Sequence, residues 1–315
     1  MARILTLTLN PALDLTLGFD SLQLGTLNRS QEQHCSAAGK GLNVAQVLVD
    51  LGHQVTVSGF LGSANATPFE ALFARRDFVD AFVRVPGETR SNIKLVERDG
   101  RVTDLNGRGA WVEASHRAQL LERLLQIAPG YDALVVAGSL PPGVELDWFV
   151  ELLRVLKTLC PRLALDSSGD ALRAGLGVAP WLIKPNEEEL AEACGLVDRS
   201  LPSLRAAVRA LRERDGIEHV LLSRGRDGVD WHGPGFALQA RPPQVEVRST
   251  VGAGDSLLAA SLHGLLEGWP VERTLRLATA VAAQAVTQLG FGIQDPEQLA
   301  HLQAGVVLAP NVPQE

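Results

Sequence analysis

The sequence predicts an α/β protein: a mostly parallel sheet covered by helices on both faces, with a small β-sheet lid beside it. Three observations carry this. From about residue 115 onward, short apolar runs alternate with stretches of helical periodicity. Four of the runs end in small or polar residues. The first third reads instead as hairpin-forming β material. Strands that alternate with helices form βαβ units, and such units bury a parallel sheet on both faces.

The alternation begins with "RAQLLERLLQIA", helical in period, then "YDALVVAG", an apolar run closing on glycine, then the helical "LDWFVELLRVLKTL". It continues through "RLALDSSG", helical "DALRAGL", "WLIKPN", a helix in "EEELAEACG", another in "LPSLRAAVRALRER", and "HVLLSRG". The strand ends are Gly138-Ser139, Asp166-Ser167, Lys184-Pro185-Asn186 and Ser223-Arg224-Gly225. Any one could be a plain βα turn. Ligands of open parallel sheets sit beyond the carboxyl ends of the strands, so four on one edge predict the rim of a site.

In the first third, "ILTLTLNPALDLTLGF", the stretch around Thr26–His34 and "VPGETRSNIKLVERDGRVTDLNG" are the β segments, with a hairpin turn in "ERDGRV". They predict a lid built from about residues 10–35 and 86–108 of a single domain spanning 1–315. The uncharged stretch around "LATAVAAQAVTQLGFGIQ" reads as a buried helix, and 309–315, "APNVPQE", as a loose tail.

Composition narrows the function classes. The chain has 315 residues, is 46% hydrophobic and 21% charged, and carries a net charge of −7. No basic tail or stripe appears, which argues against nucleic acid as a partner. Three scattered cysteines, Cys35, Cys160 and Cys194, match neither a disulfide framework nor a zinc spacing, and point to a reducing cytoplasm. "MARILTLTLN" lacks the apolar core of a signal peptide, and no stretch reads as a membrane span.

Four stretches carry chemistry. In "GETRSNIKL", read as a strand, Arg90, Asn92 and Lys94 share one face and suit a phosphate; a solvated strand face is the plainer alternative. "CSAAGKGLNVAQVLVDLGH" is a glycine-lysine turn into a helix and misses the P-loop pattern, since Gly41 and Leu42 follow Lys40 where Ser or Thr would hold Mg²⁺. Gly39 and Gly41 permit close backbone approach, with Asn43 in the first turn. "NPALD" places Asp14 in a turn after a strand, as an Asx-turn residue or an acceptor for sugar hydroxyls. "TVGAGDS" opens a helix, so the amides of Ala253, Gly254 and Asp255 can form an anion hole. An ionised Asp255 beside that hole supplies a base for a hydroxyl and donors for a moving phosphoryl group.

Together, "NPALD", "AAGKGLNVA", "TRSNIK", "GSLPPG", "KPNEEE", "SRGRDG" and "TVGAGDS" identify a resemblance over essentially the whole chain to the ribokinase-like (PfkB) carbohydrate kinases. The resemblance implies a ribokinase-like three-layer α/β/α domain with a β lid. It implies Asp255 as catalytic base and Gly252, Ala253 and Gly254 as anion hole. Asp14, Gly39, Lys40 and Asn43 fall on sugar-binding motifs; Arg90, Asn92 and Lys94 match the substrate-phosphate face, with Ser139 as helper. Arg29 could reach the phosphate, even across a dimer interface formed by the lid. Asn186 and Glu189 match the N-x-x-E motif that organises Mg²⁺ around ATP, indirectly through water and phosphates. Ser223, Gly225 and Gly228 match the nucleotide loop, with Lys184 beside the phosphates.

"NPALD", "TRSNIK" and "GSLPPG" look most like the branch acting on phosphorylated hexoses. The expected reaction is ATP-dependent conversion of fructose 1-phosphate to fructose 1,6-bisphosphate, with tagatose 6-phosphate or fructose 6-phosphate as alternative acceptors. One departure stands out: Ala38-Gly39 occupy positions where the family often has two glycines, which is harmless if Ala38 has a negative φ. A catalytically silent sugar-phosphate-binding protein is disfavoured because Asp255 and Glu189 are present. A nicotinamide-dependent dehydrogenase is excluded by "NPALD" following the first strand where a glycine-rich loop is required.

Overall fold

In a computed structural model, which describes residues 1–310, the chain forms two sheets. It opens with β1 (Arg3–Thr8), then β2 (Ala12–Phe19), β3 (Glu32–Ala38), helix α1 (Lys40–Asp50), β4 (Gln54–Gly62), α2 (Thr67–Arg76) and β5 (Val79–Val85). A hairpin of β6 (Arg90–Glu97) and β7 (Val102–Asn106) follows, then α3 (Ala114–Ile127), β8 (Ala133–Ala137), α4 (Leu146–Leu159), β9 (Leu163–Asp166), α5 (Gly169–Leu176) and β10 (Leu182–Ile183). The remainder is α6 (Glu187–Cys194), α7 (Leu201–Glu213), β11 (His219–Ser223), β12 (Val229–Gly233), β13 (Phe236–Arg241), α8 (Ala253–Leu266), α9 (Val271–Ala285), α10 (Pro296–Gly305) and β14 (Val307–Pro310).

The ten-stranded sheet runs β14-β13-β12-β11-β10-β9-β8-β1-β4-β5, parallel from β11 to β5 and antiparallel at the other edge. Its strands alternate into two cores. Ile4 joins one, with Leu42, Leu48, Phe69 and Leu258, under α1, α2, α8, α9 and α10. Leu5 and Leu7 join the other, with Leu124, Leu153, Leu172 and Val208, under α3 to α7. Burial of both faces is what a parallel sheet requires.

The four-stranded sheet runs β3-β2-β6-β7, with β2 parallel to β6. β1 is a difference from the sequence reading: it is an interior strand of the large sheet, between β8 and β4, and only β2 of "ILTLTLNPALDLTLGF" enters the small one. β3 also carries the small sheet to Ala38, past residue 35. Asp14 lies within β2 rather than in a turn. At the C-terminus, Ala309 pairs with Gln239 and Pro310 with Leu238, so the expected loose tail is strand there; 311–315 lie outside the described residues. The stretch read as one buried helix is α9 only to Ala285, and the following "TQLGFGIQ" leaves the helix.

Because β1 has β8 on one side and β4 on the other, the chain changes direction across the sheet at β1. Crevices open beyond the strand ends at such a point. Asn10, Ser139, Asp166, Lys184 and Ser223 all stand at or just past carboxyl ends there. The small sheet projects over this edge because β1 runs directly into β2 and β3 directly into α1.

Candidate active site

The site starts from α8. Gly252 caps it with φ of 83°, and a Cβ there would lie 2.8 Å from the Phe291 ring, so glycine is required on both counts. Ser256 N is the first amide of this helix to reach an intrahelical acceptor, Gly252 O at 2.8 Å. The amides before it, at Ala253, Gly254 and Asp255, remain at the positive end of the helix dipole. A Cβ at Gly254 would stand 3.1 Å from Lys184 Nζ, so the missing side chain is what lets that ammonium approach the helix start.

Asp255, in the first turn, is buried. Asn43 Nδ2 on α1 donates to its Oδ2 at 2.8 Å, while Asn43 Oδ1 is buried with no hydrogen-bond partner. Burial, followed by the charge of Asp166, pushes the Asp255 carboxyl up to about 6. Lys40, the Asn43 hydrogen bond and Lys184 offset part of that rise.

Asp166, at the end of β9, has a fully buried side chain held between two ammonium groups, Lys40 Nζ at 3.0 Å and Lys184 Nζ at 3.3 Å. Burial acts to raise its pKa, but Lys184 and Lys40 outweigh that and hold the carboxyl below its usual value. Lys40 reaches a second carboxylate, Glu189 Oε1 at 3.8 Å. Burial acts to lower the Lys40 pKa, and the surrounding Asp166, Glu189 and Asp255 more than reverse it. The lysine expected in a sugar loop therefore sits between Asp255 and the N-x-x-E segment. Asp166 itself was only a rim residue in the sequence reading, and its position at a strand end was the one signal available.

Gly39, with φ of 142°, presses α1 against β1: a Cβ there would meet Thr8 Cγ2 at 2.8 Å. Ala38 keeps a negative φ in β3, because the only positive-φ non-glycine residues among those described are Asp77 and Ala179. The departure from a glycine pair is accommodated.

In the segment expected to face the nucleotide, Asn186 caps α6. Its Oδ1 accepts from Glu189 N at 2.8 Å and Glu189 Oε2 accepts from Asn186 N at 2.9 Å, a capping box. Asn186 bridges to Ser223, whose amide donates to Pro185 O at 2.9 Å. Gly228 is needed where a Cβ would collide with Ala240 O at 1.9 Å, and Gly225, at φ of 54°, faces open space.

On the small sheet, Ser36, Asp14, Asn92 and Asn106 form one cross-strand row, and His34, Thr16, Lys94 and Asp104 the next. Both rows face a cavity of about 420 Å³ closed from below by Ser249, Thr250, Val251 and Phe291. Asn92 Nδ2 donates to Asp14 Oδ1 at 3.1 Å, and Lys94 Nζ lies 3.6 Å from Asp104. Burial raises the Asp14 pKa against the Asn92 hydrogen bond and the Lys94 charge.

Arg90 shares that face by alternation, but its guanidinium donates to the carbonyls of Asn10 at 3.1 Å, Gly107 at 3.2 Å and Pro11 at 3.4 Å. It ties the root of the small sheet to the β1–β2 link rather than pointing freely into the cavity. Ser139 Oγ accepts from Asn10 Nδ2 at 3.2 Å, so it too belongs to this hinge. Arg29 is exposed on the β2–β3 connection and makes no hydrogen bond or ion pair with the other site residues.

A buried carboxylate raised toward neutrality beside an open helix N-terminus, two lysines and a polar cavity defines a phosphotransferase acting on a hydroxyl compound, a carbohydrate kinase. The chain belongs to the pfkB family of carbohydrate kinases, whose sequence profile matches residues 7–298. It is 45% identical to the 1-phosphofructokinase of Escherichia coli strain K12 over 311 residues, 98% of each chain. It is 42% identical to the 1-phosphofructokinase of Vibrio cholerae, over 99% of this chain and 98% of that one. Among solved structures, the tetrameric inhibited form of phosphofructokinase-2 from Escherichia coli superposes with a TM-score of 0.88 at 30% identity, over 97% of this chain and 99% of the other.

Proposed function

We propose that the protein transfers the γ-phosphoryl group of ATP to fructose 1-phosphate, giving fructose 1,6-bisphosphate. The observation that carries the kinase chemistry is Asp255: buried, raised to about 6, and placed beside amides that no intrahelical acceptor claims. The choice of acceptor is supported by full-length relatives named 1-phosphofructokinase.

In this reading the sugar lies under the small sheet. Asp14 and the unpartnered Asn43 Oδ1 and Asn92 Oδ1 accept from its hydroxyls, and Gly39, packed against Thr8, turns the chain into α1 beside them. Lys94 lines the cavity and serves its phosphate end, while Arg90 and Ser139, through their bonds to Asn10, hold the root of the small sheet, and Arg29 stands exposed on the β2–β3 connection. The attacking hydroxyl meets Asp255, which takes the hydroxyl proton as the bond from that oxygen to the γ-phosphorus forms and the bond from that phosphorus to the β,γ-bridging oxygen breaks, releasing ADP. Ala253 and Gly254 amides, presented by Gly252, receive the charge that develops on the phosphoryl oxygens, and Lys184 and Lys40 share it. Ser223, Gly225 and Gly228 hold the nucleotide. The small sheet excludes water that would otherwise take the phosphoryl group.

The family uses a divalent cation with ATP, and Mg²⁺ fits the oxygen donors here. Capping occupies Asn186 Oδ1 and Glu189 Oε2, leaving Glu189 Oε1 to hold the ion through water and phosphates. Bound there, it would neutralise phosphate charge.

The working unit we propose is a homodimer through the small sheet, whose face opposite the cavity carries Leu15, Leu17 and Leu95, with Leu105 51% exposed. The free cysteines Cys35, Cys160 and Cys194 agree with a reducing cytoplasm, and among the described residues no helix is long and apolar enough to cross a membrane. A coupled assay of fructose 1-phosphate, fructose 6-phosphate and tagatose 6-phosphate decides the acceptor. The highest kcat/KM should belong to fructose 1-phosphate, and a higher value for either of the others replaces it.

A further inference from the structure

We infer that Arg224 is a positioning residue for the nucleotide, acting through a charge chain that joins the two segments of the nucleotide site. The inference rests on the kinase reading above but not on which sugar is the acceptor.

The problem Arg224 answers is electrostatic. Helix α6 begins with three consecutive carboxylates, Glu187, Glu188 and Glu189, directly after the Asn186 cap. Carboxylates suit a helix N-terminus, yet this is where the proposed site must hold a polyphosphate, which they repel. Glu189 lies 3.8 Å from Lys40, and the Glu188 side chain, 80% exposed, extends toward Arg199. Glu187 is met by Arg224, whose Nε donates to Oε1 at 3.2 Å.

Arg224 comes from the other nucleotide segment, between Ser223 and Gly225. Its backbone shapes the loop: Arg224 N donates to Gly228 O at 2.8 Å, and Asp227 N donates to Arg224 O at 3.0 Å. Its side chain is only 12% exposed and extends further, Nη1 lying 3.5 Å from Asp230 Oδ1. Asp230, fully buried on β12, is held from its other side by Arg205 Nε on α7 at 2.7 Å. The chain Glu187–Arg224–Asp230–Arg205 thus pins the 223–228 loop to α6, β12 and α7 at once. Burial of Asp230 makes its contacts to Arg224 and Arg205 stronger than surface ion pairs, while Glu187, 44% exposed, is partly screened by solvent.

Removing the guanidinium frees the loop from Glu187 and leaves that carboxylate uncompensated next to the phosphates. Nucleotide binding should weaken, while the sugar side, formed by the small sheet and α1, is untouched. A purely structural ion pair would lower stability and leave the ratio of the two KM values alone.

The test is Arg224→Ala, Arg224→Lys and Glu187→Gln in the full chain. ATP binding is measured directly by calorimetry with Mg²⁺ present, alongside the KM for each substrate and the thermal midpoint. Arg224→Ala should weaken ATP about tenfold, the size expected for one charged hydrogen bond, with the sugar-phosphate KM within about twofold of wild type. Arg224→Lys should recover part of the affinity, and Glu187→Gln should soften the effect of Arg224→Ala when the two are combined. Unchanged ATP affinity in folded Arg224→Ala overturns the inference, as does an equal rise in both KM values. Should Arg224→Ala not fold, Arg224→Lys and Glu187→Gln decide: ATP affinity equal to wild type in both overturns the inference. If none of the candidate sugars is phosphorylated, the calorimetry still decides the role of Arg224, so the two readings fail separately.

Discussion

Asn43 Nδ2 donates to Asp255 Oδ2 at 2.8 Å, joining the first turns of two helices that are 212 residues apart in sequence. The bond fixes which oxygen of Asp255 faces outward and leaves the Asn43 carbonyl oxygen for a ligand. It also opposes the burial that raises the carboxyl to about 6. The Asp255 carboxyl is therefore oriented, largely neutral at acid pH and ionised at neutral pH.

That value predicts the acid limb of the rate profile. A general base works only when ionised, so kcat/KM should fall as pH drops through about 6 in the free enzyme. Asp255→Asn should lose about a hundredfold or more in kcat while ATP still binds. A pH–rate series on wild type and single-turnover measurements on the variant check both. Near-normal turnover in the variant removes Asp255 from the role of base.

Asp166→Asn should move that limb to lower pH. Asp166 contributes the second-largest push on Asp255, and removing it frees Lys40 and Lys184 to hold the base ionised. The same change breaks a buried ion pair and should cost on the order of 3 kcal/mol of stability. Urea unfolding and the rate profile together separate the two effects. An unmoved limb would show that Asp166 does not sense the base.

Gly252→Ala places a methyl group 2.8 Å from the Phe291 ring on a backbone at φ of 83°. The helix start must shift, taking the free amides with it. A loss of about 1–2 kcal/mol in stability, with a fall in kcat larger than any change in KM, is the expected outcome. Thermal melts and steady-state rates measure it.

Stability itself should depend on pH through three buried histidines. Burial holds His53, His219 and His232 each down to about 4. Ala2 N donates to His53 Nδ1 at 3.1 Å, so His53 carries its proton on Nε2 and donates it to His263 Nδ1 at 2.8 Å. A histidine whose folded pKa is depressed gives stability that is intact above the unfolded value of about 6.5 and lost as pH falls toward 4. For His53 alone the span corresponds to about 3 kcal/mol. Denaturant midpoints at pH 7.5 and pH 5 should differ, and the difference should shrink in His53→Gln.

Much of this molecule is written locally in its sequence. The strand and helix periods, the "TVGAGDS" helix start and the N-x-x-E cap depend on residues a few positions apart. Helix dipoles, capping and the steric freedom of glycine act at that range. The placing of β1 did not follow from its own residues, because "ILTLTL" fits a lid strand or a central strand equally well. Burial on both faces decided between them, and that comes from helices elsewhere in the chain. The same holds for charge. Sequence marked Lys40, Lys184 and Arg90 as cations near a site, but a cation's role depends on which carboxylate or carbonyl stands opposite it. Tertiary structure set Lys40 and Lys184 on Asp166, turned Arg90 onto three backbone carbonyls, and buried Asp255 beside Asp166, Lys40 and Lys184. Electrostatic energies depend on separation and burial in space, and those quantities exist only once the sheet has brought its strand ends together.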